Sequence, residues 1–151
     1  MGNTYSQLYV QIVFAVKYRS ALIKEYNRDE TEKYICGIAN NHKCKPLAVY
    51  CNPDHTHILV SLRPSIAISD LVREIKASSS KFIKDRFGCT FFAWQEGYAS
   101  FSYSRSQIDS VVKYILNQPQ HHAKRGFKEE FLDMLQKSGI EYDEKYLFRW
   151  I

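Results

Sequence analysis

Three features of this 151-residue sequence predict an α+β fold of the ferredoxin-like (RRM-like) kind, an antiparallel sheet with helices packed mainly on one face. Strand-like and helix-like stretches follow one another in the order β-α-β-β-α-β, with further elements after them. A turn-forming "CNPD" separates two of the strand-like runs, which marks a hairpin. A composition that is 45% hydrophobic and 15% aromatic supplies enough apolar surface for one packed domain, spanning residues 1–151.

The first strand is Tyr9 to Tyr18, rich in Val, Ile and Phe. Both of its faces are largely apolar, which suits a central place in a sheet. Asn27 reads as the N-cap of the helix that follows, with Glu30 three residues on as in a capping box. That helix carries Tyr34, Ile35 and Ile38 and runs towards Cys44. Leu47 to Tyr50 is a short strand, and His55 to Leu62 is its hairpin partner. Strand alternation puts Thr56, Ile58, Val60 and Leu62 on one face and His55, His57, Leu59 and Ser61 on the other.

Ser69 and Asp70 open a second helix that Gly88 closes. Its buried stripe is Leu71, Val72, Ile75, Ser79, Phe82 and Ile83. "TFFAWQEGYASFSYS" reads as two strands around a turn at Glu96 and Gly97. A third helix begins near Ser106 and carries Ile108, Val111, Val112, Ile115 and Leu116 at helical spacing, and Pro119 ends or kinks it. A last amphipathic helix spans about 128–137.

Charge and cysteine usage narrow the function classes. A net charge of +5 suits a nucleic-acid partner without requiring one. No run approaches the ~18 apolar residues of a membrane span, and the N-terminus lacks a signal-peptide pattern. Cys36, Cys44, Cys51 and Cys89 form no C-x-x-C pair, so a zinc finger is disfavoured and reduced thiols in a cytoplasmic protein are expected.

Two positions carry candidate chemistry. In "PDHTHILV", His55 and His57 point the same way, either as buried histidines satisfied by backbone groups or as two ligands of a metal whose third ligand lies elsewhere. In "VVKYILNQ", Tyr114 and Gln118 are spaced i, i+4 on the border of the third helix's apolar stripe. They fit either an amphipathic margin or a functional pair. Arg73, Lys76, Ser80 and Lys84, at offsets of 3, 7 and 11, share a face of the second helix and are candidate DNA contacts as well as an ordinary solvated face. Tyr98, Phe101 and Tyr103 suit either core packing or base stacking. His121 and His122 are expected at the surface.

Taken together, these segments resemble a known family. "PDHTHILV" is similar to the His-hydrophobic-His motif of single-tyrosine DNA-cleaving enzymes. "WQEGYASFSYS" followed by "VVKYILNQPQHH" resembles the TnpA-type transposases of very small bacterial insertion sequences and their REP-associated relatives. The likeness runs from "YVQIVFAVKYR" to "EYDEKYL". Thr56 departs from it, standing where a more hydrophobic residue is usual, and so does Pro119 directly after Gln118.

The resemblance implies that His55, His57 and Gln118 bind one divalent ion, Mg²⁺ or Mn²⁺, and that Tyr114 is a nucleophile forming a 5′-phosphotyrosine link. It further implies single-stranded DNA with hairpins as substrate, basic and small residues of the second helix near that DNA, and a homodimer with active sites shared between subunits. The alternatives are a domesticated relative acting on genomic palindromes, a metal nuclease using water, and a non-catalytic nucleic-acid-binding module.

Overall fold

The computed structural model describes residues 3–147. Four strands, β1 (Tyr9–Ala15), β2 (Lys45–Cys51), β3 (His55–Ser61) and β4 (Ala99–Tyr103), form one sheet in the order β2-β3-β1-β4. All neighbouring pairs are antiparallel. The expected ferredoxin-like arrangement is therefore present, with the apolar first strand at its centre. None of the described helices is long and apolar enough to cross a membrane. The four cysteines are free thiols.

Strand alternation divides the core in two. Val10, Ile12, Phe14, Ile58 and Val60 point to one face, where α1 (Glu25–Asn41) and α2 (Ile68–Phe87) bury them with Ile35, Leu71 and Ile75. Thr56 also faces this side, and its hydroxyl donates to the Tyr50 carbonyl at 3.0 Å. A polar residue is thus tolerated in the middle of the His-x-His segment because its one donor is satisfied.

The second face is covered as well. There α3 (Ile108–Leu116) sets Val111 and Ile115 against Ala48 and Leu59. Beside it, α5 (Phe127–Lys137) sets Phe127, Phe131 and Leu135 against Val13, Ala15, Ala99 and Phe101. A five-residue helix, α4 (Gln118–His122), links them, and α6 (Glu144–Leu147) follows α5. His55 and His57 lie on this second face, at the seam between α3 and α5.

Two elements differ from expectation. α1 begins at Glu25, so Asn27 is a buried residue inside the first turn and not its cap. The amides of Asn27 and Arg28 both donate to the Lys24 carbonyl, and Glu30, freed from a capping role, pairs with Arg86 of α2 at 2.9 Å. The segment before Glu96 forms an isolated bridge, Trp94 to Val16, and no strand. Two backbone bonds, from the Lys17 amide to the Ala93 carbonyl at 2.9 Å and from the Gln95 amide to the Ala15 carbonyl at 2.8 Å, tie it to the end of β1, and side chains hold the rest. Trp94 packs edge-on against Phe14 and donates its indole N–H to the Ser79 hydroxyl at 2.9 Å. The Lys76 ammonium donates to the carbonyls of Gln95 and Gly97, both at 2.7 Å.

Gly88 ends α2 at φ 70, a left-handed conformation, whereas Gly37 lies within α1 and nothing approaches within 4 Å of where its Cβ would stand. Opposite signs follow from one substitution. Gly88→Ala should destabilise the chain by about 1 kcal/mol through backbone strain. Gly37→Ala should stabilise it by roughly 0.5–1 kcal/mol through helix propensity. Urea unfolding measures both, and equal signs would contradict these helix boundaries.

Candidate active site

The seam between α3 and α5 is polar at its deepest point. His55, His57, Gln118 and Glu130 are all at most 1% exposed. Glu130 sits among Phe127, Phe131 and Leu135 on the apolar side of α5 and reaches down to the sheet. One of its oxygens, Oε1, lies 3.1 Å from His57 Nε2, 3.2 Å from His122 Nε2 and 3.5 Å from His55 Nε2. The other, Oε2, accepts hydrogen bonds from the Tyr114 hydroxyl and, at 3.1 Å, from Gln118 Nε2. One carboxylate thus joins the histidines of β3 to the residues of α3 and α4.

Neighbouring side chains set the orientation of both strand histidines. His57 Nδ1 faces Gln11 Oε1 at 2.8 Å, and Gln11 in turn donates to the Tyr103 hydroxyl at 2.7 Å. His55 Nδ1 faces Asp54 Oδ1 at 2.7 Å. An oxygen acceptor at Nδ1 holds a proton there and turns Nε2 into the cluster, where it carries a proton to bond Glu130 and would shed that proton to hold a metal. Asn52 Nδ2 lies 3.1 Å from His55 Nε2 and donates to Gln118 Oε1 at 3.0 Å. Phe127 stacks on the His55 ring, with centroids 3.8 Å apart.

Burial and pairing pull the ionisable groups in different directions. Burial opposes the charge on Glu130, but hydrogen bonds from His122, His55 and His57 outweigh it and hold the carboxyl far below the usual range. His57 is depressed by burial against the opposing pull of Glu130, whereas at His55 the contacts with Asp54 and Glu130 overcome burial and raise it. Tyr114 is raised by burial and by the carboxylate it faces. Its ring lies flat against His121, centroids 4.5 Å apart, and edge-on to His57 at 6.1 Å.

The donor set fits a divalent ion. His55, His57, His122 and Glu130 offer ligand atoms that all lie within 4.8 Å of one another. A mixed nitrogen and oxygen set with oriented imidazoles suits a first-row divalent metal, and the oxygen ligands admit Mg²⁺. Gln118, expected as third ligand, is in place beside them, its Oε1 3.0 Å from His122 Nε2. Pro119 does not disturb this. α3 stops at Leu116, and the chain restarts as α4 with Pro119 in its first turn, where a missing N–H costs nothing.

Glu130 and Gln11 are additions to the sequence-predicted set, and His122 is not a surface residue but a half-buried member of the cluster. Glu130 has a local signal. With Phe127, Phe131 and Leu135 it falls on the apolar stripe of α5, an unusual place for a carboxylate.

The candidate DNA contacts on α2 separate. Arg73 is exposed and pairs with Asp70 at 3.0 Å. Lys76 is half-buried, lies 5.2 Å from the Phe14 ring centroid and is committed to the two loop carbonyls. Burial pushes its ammonium down to about 8. Arg73, Lys76 and Ser80 line one groove with Trp94 and Tyr98, and Lys84 is not part of its wall. Of the aromatic candidates, Phe101 is in the core, Tyr103 accepts from Gln11, and Tyr98 is partly exposed.

Comparison with known proteins agrees with the fold. The family model "Transposase IS200 like" matches residues 4–118, and the chain belongs to that family of transposases, enzymes that cut and rejoin DNA. The transposase TnpA of ISDra2 from Deinococcus radiodurans is 26% identical over 120 residues, which cover 74% of this chain and 84% of that protein. Two solved structures share the fold. One, described as a transposase from Deinococcus radiodurans R1, has a TM-score of 0.64 at 23% identity, over 78% of this chain and 96% of that one. The other, a REP-associated tyrosine transposase bound to a REP hairpin, has a TM-score of 0.59 at 18% identity, over 81% and 73%. The family match includes His55, His57, Tyr114 and Gln118 and ends before His122 and Glu130.

Removing the Glu130 charge should be costly, because it leaves imidazole, amide and phenol groups buried without their partner. Glu130→Ala should lose about 3 kcal/mol of stability, the scale for breaking a buried ionic cluster. Chemical denaturation reads this directly, and a loss below about 1 kcal/mol, the scale of an exposed pair, would contradict the buried-hub geometry.

Proposed function

We propose that this transposase cuts and rejoins single-stranded DNA at hairpin-bearing element ends, with Tyr114 as nucleophile and a divalent ion, Mg²⁺ or Mn²⁺, at His55, His57 and Gln118 together with Glu130 and His122. The observation that carries the reading is the convergence of the Tyr114 hydroxyl and the histidine Nε2 atoms on one buried carboxylate. An ion held there would supply Lewis acidity to the scissile phosphate and lower the cost of a phenolate beside Glu130. Tyr114 Oη attacks phosphorus from the position in which its hydrogen bond to Glu130 Oε2 orients it. The bond from phosphorus to the 3′ oxygen breaks, and that oxygen takes up the proton that Tyr114 releases and leaves as a free 3′-OH. The 5′-phosphotyrosine link preserves the bond energy, so a second 3′-OH rejoins the strand without a nucleotide cofactor.

A serine-rich groove of about 960 Å³, walled by Ser100, Ser102, Ser106, Ser110 and Arg125, opens beside Tyr114 and suits an extended strand. A homodimer with active sites shared between subunits belongs to the same proposal. Action on dispersed genomic palindromes is the second reading, favoured by the likeness to the REP-associated transposase bound to a REP hairpin.

Labelled single-stranded hairpin DNA with Mn²⁺ should yield a protein–DNA adduct that survives denaturation. Tyr114→Phe should lose the adduct by roughly 100-fold or more while binding the hairpin nearly as well. Cleavage without an adduct would instead indicate a water nuclease, and binding without cleavage a non-catalytic module. Mixing Tyr114→Phe and His57→Ala chains tests the resting arrangement. The cis geometry gives no adduct, whereas an adduct on the His57→Ala chain would show that α3 is exchanged between subunits.

A further inference from the structure

The proposed chemistry leaves one strained segment unused. Directly after β1, the chain makes a tight turn through Lys17, Tyr18 and Arg19, and two consecutive residues without glycine's freedom adopt positive φ, Tyr18 at 60 and Arg19 at 51. Left-handed backbone is disfavoured for any residue with a Cβ, and strain of this kind persists only where surroundings enforce it. In this turn they do. The Val16 amide donates to the Asp54 carbonyl at 2.8 Å, the Lys17 amide to the Ala93 carbonyl at 2.9 Å and the Ile23 amide to the Pro53 carbonyl at 3.1 Å.

The turn produces two unusual placements. Tyr18 is held outward, 81% exposed, with the Lys17 ammonium 5.4 Å from its ring centroid. Arg19 forms part of the wall of a cavity of about 390 Å³ with Asn52, Asp54, His55, His122 and Lys128. No hydrogen bond or ion pair among the described residues engages its guanidinium. Asp54 acts on it only across space, its carboxylate being taken up by His55 Nδ1. Glu129 is the other acid of the wall. The cavity reaches His55 and His122, whereas the serine-rich groove reaches Tyr114 and shares no lining residue with it. A strand crossing the cluster would enter by one and leave by the other.

We propose that the Lys17–Arg19 turn is a nucleotide-binding subsite for the strand flanking the scissile phosphate, Arg19 taking the adjacent phosphate and Tyr18 stacking on the base beyond it. The assignment rests on single-stranded DNA being the substrate. An uncommitted guanidinium matches a phosphate oxygen pair, and an exposed aromatic face at fixed orientation stacks any base. The subsite would therefore add affinity with little sequence preference.

The test uses a fluorescein-labelled single-stranded 20-mer in metal-free buffer, so that binding is read without cleavage. Arg19→Ala should weaken binding about tenfold and flatten the dependence of log Kd on log salt by roughly 0.7, the share of one phosphate contact on single strands. Tyr18→Ala should weaken it about tenfold with the salt slope unchanged, and Tyr18→Phe should restore it. Tyr18→Gly should bind as poorly as Tyr18→Ala without lowering the Tm, since glycine relieves the strained φ. A merely structural turn would not separate binding from stability in this way. Lys43→Ala, which removes a positive charge at the α1–β2 connection, serves as the control. If Arg19→Ala and Tyr18→Ala bind no worse than Lys43→Ala while the wild type binds and forms its adduct, the subsite is wrong and the transposase reading stands. A wild type that neither binds the 20-mer nor forms an adduct overturns both.

Discussion

A carboxylate without solvent access is stable only when polar partners replace the water it has lost. Glu130 meets this condition with five side chains from three elements, namely His55 and His57 of β3, Tyr114 of α3, and Gln118 and His122 of α4. The arrangement of the second face of the sheet follows from it. α5 can lie over β1 and β4 only if Glu130 finds these partners, and α3 can lie over β2 and β3 only if Tyr114 and Gln118 find theirs. The site is therefore part of the packing that closes the domain, and the separation between core and chemistry is small.

The sheet makes this possible through its alternation. β1 and β3 are central and buried on both faces, so a polar side chain on either is costly unless bonded. Gln11 on β1 is directed to the same face as His57 on β3, and the two bond across the ladder. The same contact fixes the imidazole proton at Nδ1 and turns Nε2 towards Glu130. An otherwise expensive buried amide thus serves as the orienting group of a candidate metal ligand, in the way outer partners commonly set histidine ligands.

Much of this is legible in the sequence, and the limits are physical. The alternation from Thr56 to Leu62 shows that His55 and His57 share a face, because period two survives any packing. The stripe of α2 and its Gly88 stop are equally local. The two-strand reading around Glu96 fails because Trp94 and Lys76 hold that segment through contacts distant in sequence. Lys76 sits at the right helical offset beside Arg73 and Ser80, yet no local pattern shows that a loop will fold over its ammonium. Asn52 reads as turn chemistry in "CNPD", and its bond to Gln118 spans too many residues to be anticipated. Glu130 was open to detection, since a charge on the apolar stripe of an amphipathic helix calls for a buried partner. The motif likeness draws attention to "VVKYILNQ" instead, and the family match ends at residue 118, before α5.

The central claim is that one chain gathers its imidazoles into a single divalent-metal site beside Tyr114. Pulsed electron paramagnetic resonance on the Mn²⁺-loaded protein, with ¹⁵N introduced only at histidine, examines that site without requiring turnover. The account predicts one Mn²⁺ per chain showing hyperfine coupling to histidine nitrogen, with coupling diminished in His57→Ala. Mn²⁺ bound without any histidine coupling, or with coupling unchanged in His57→Ala, would contradict it.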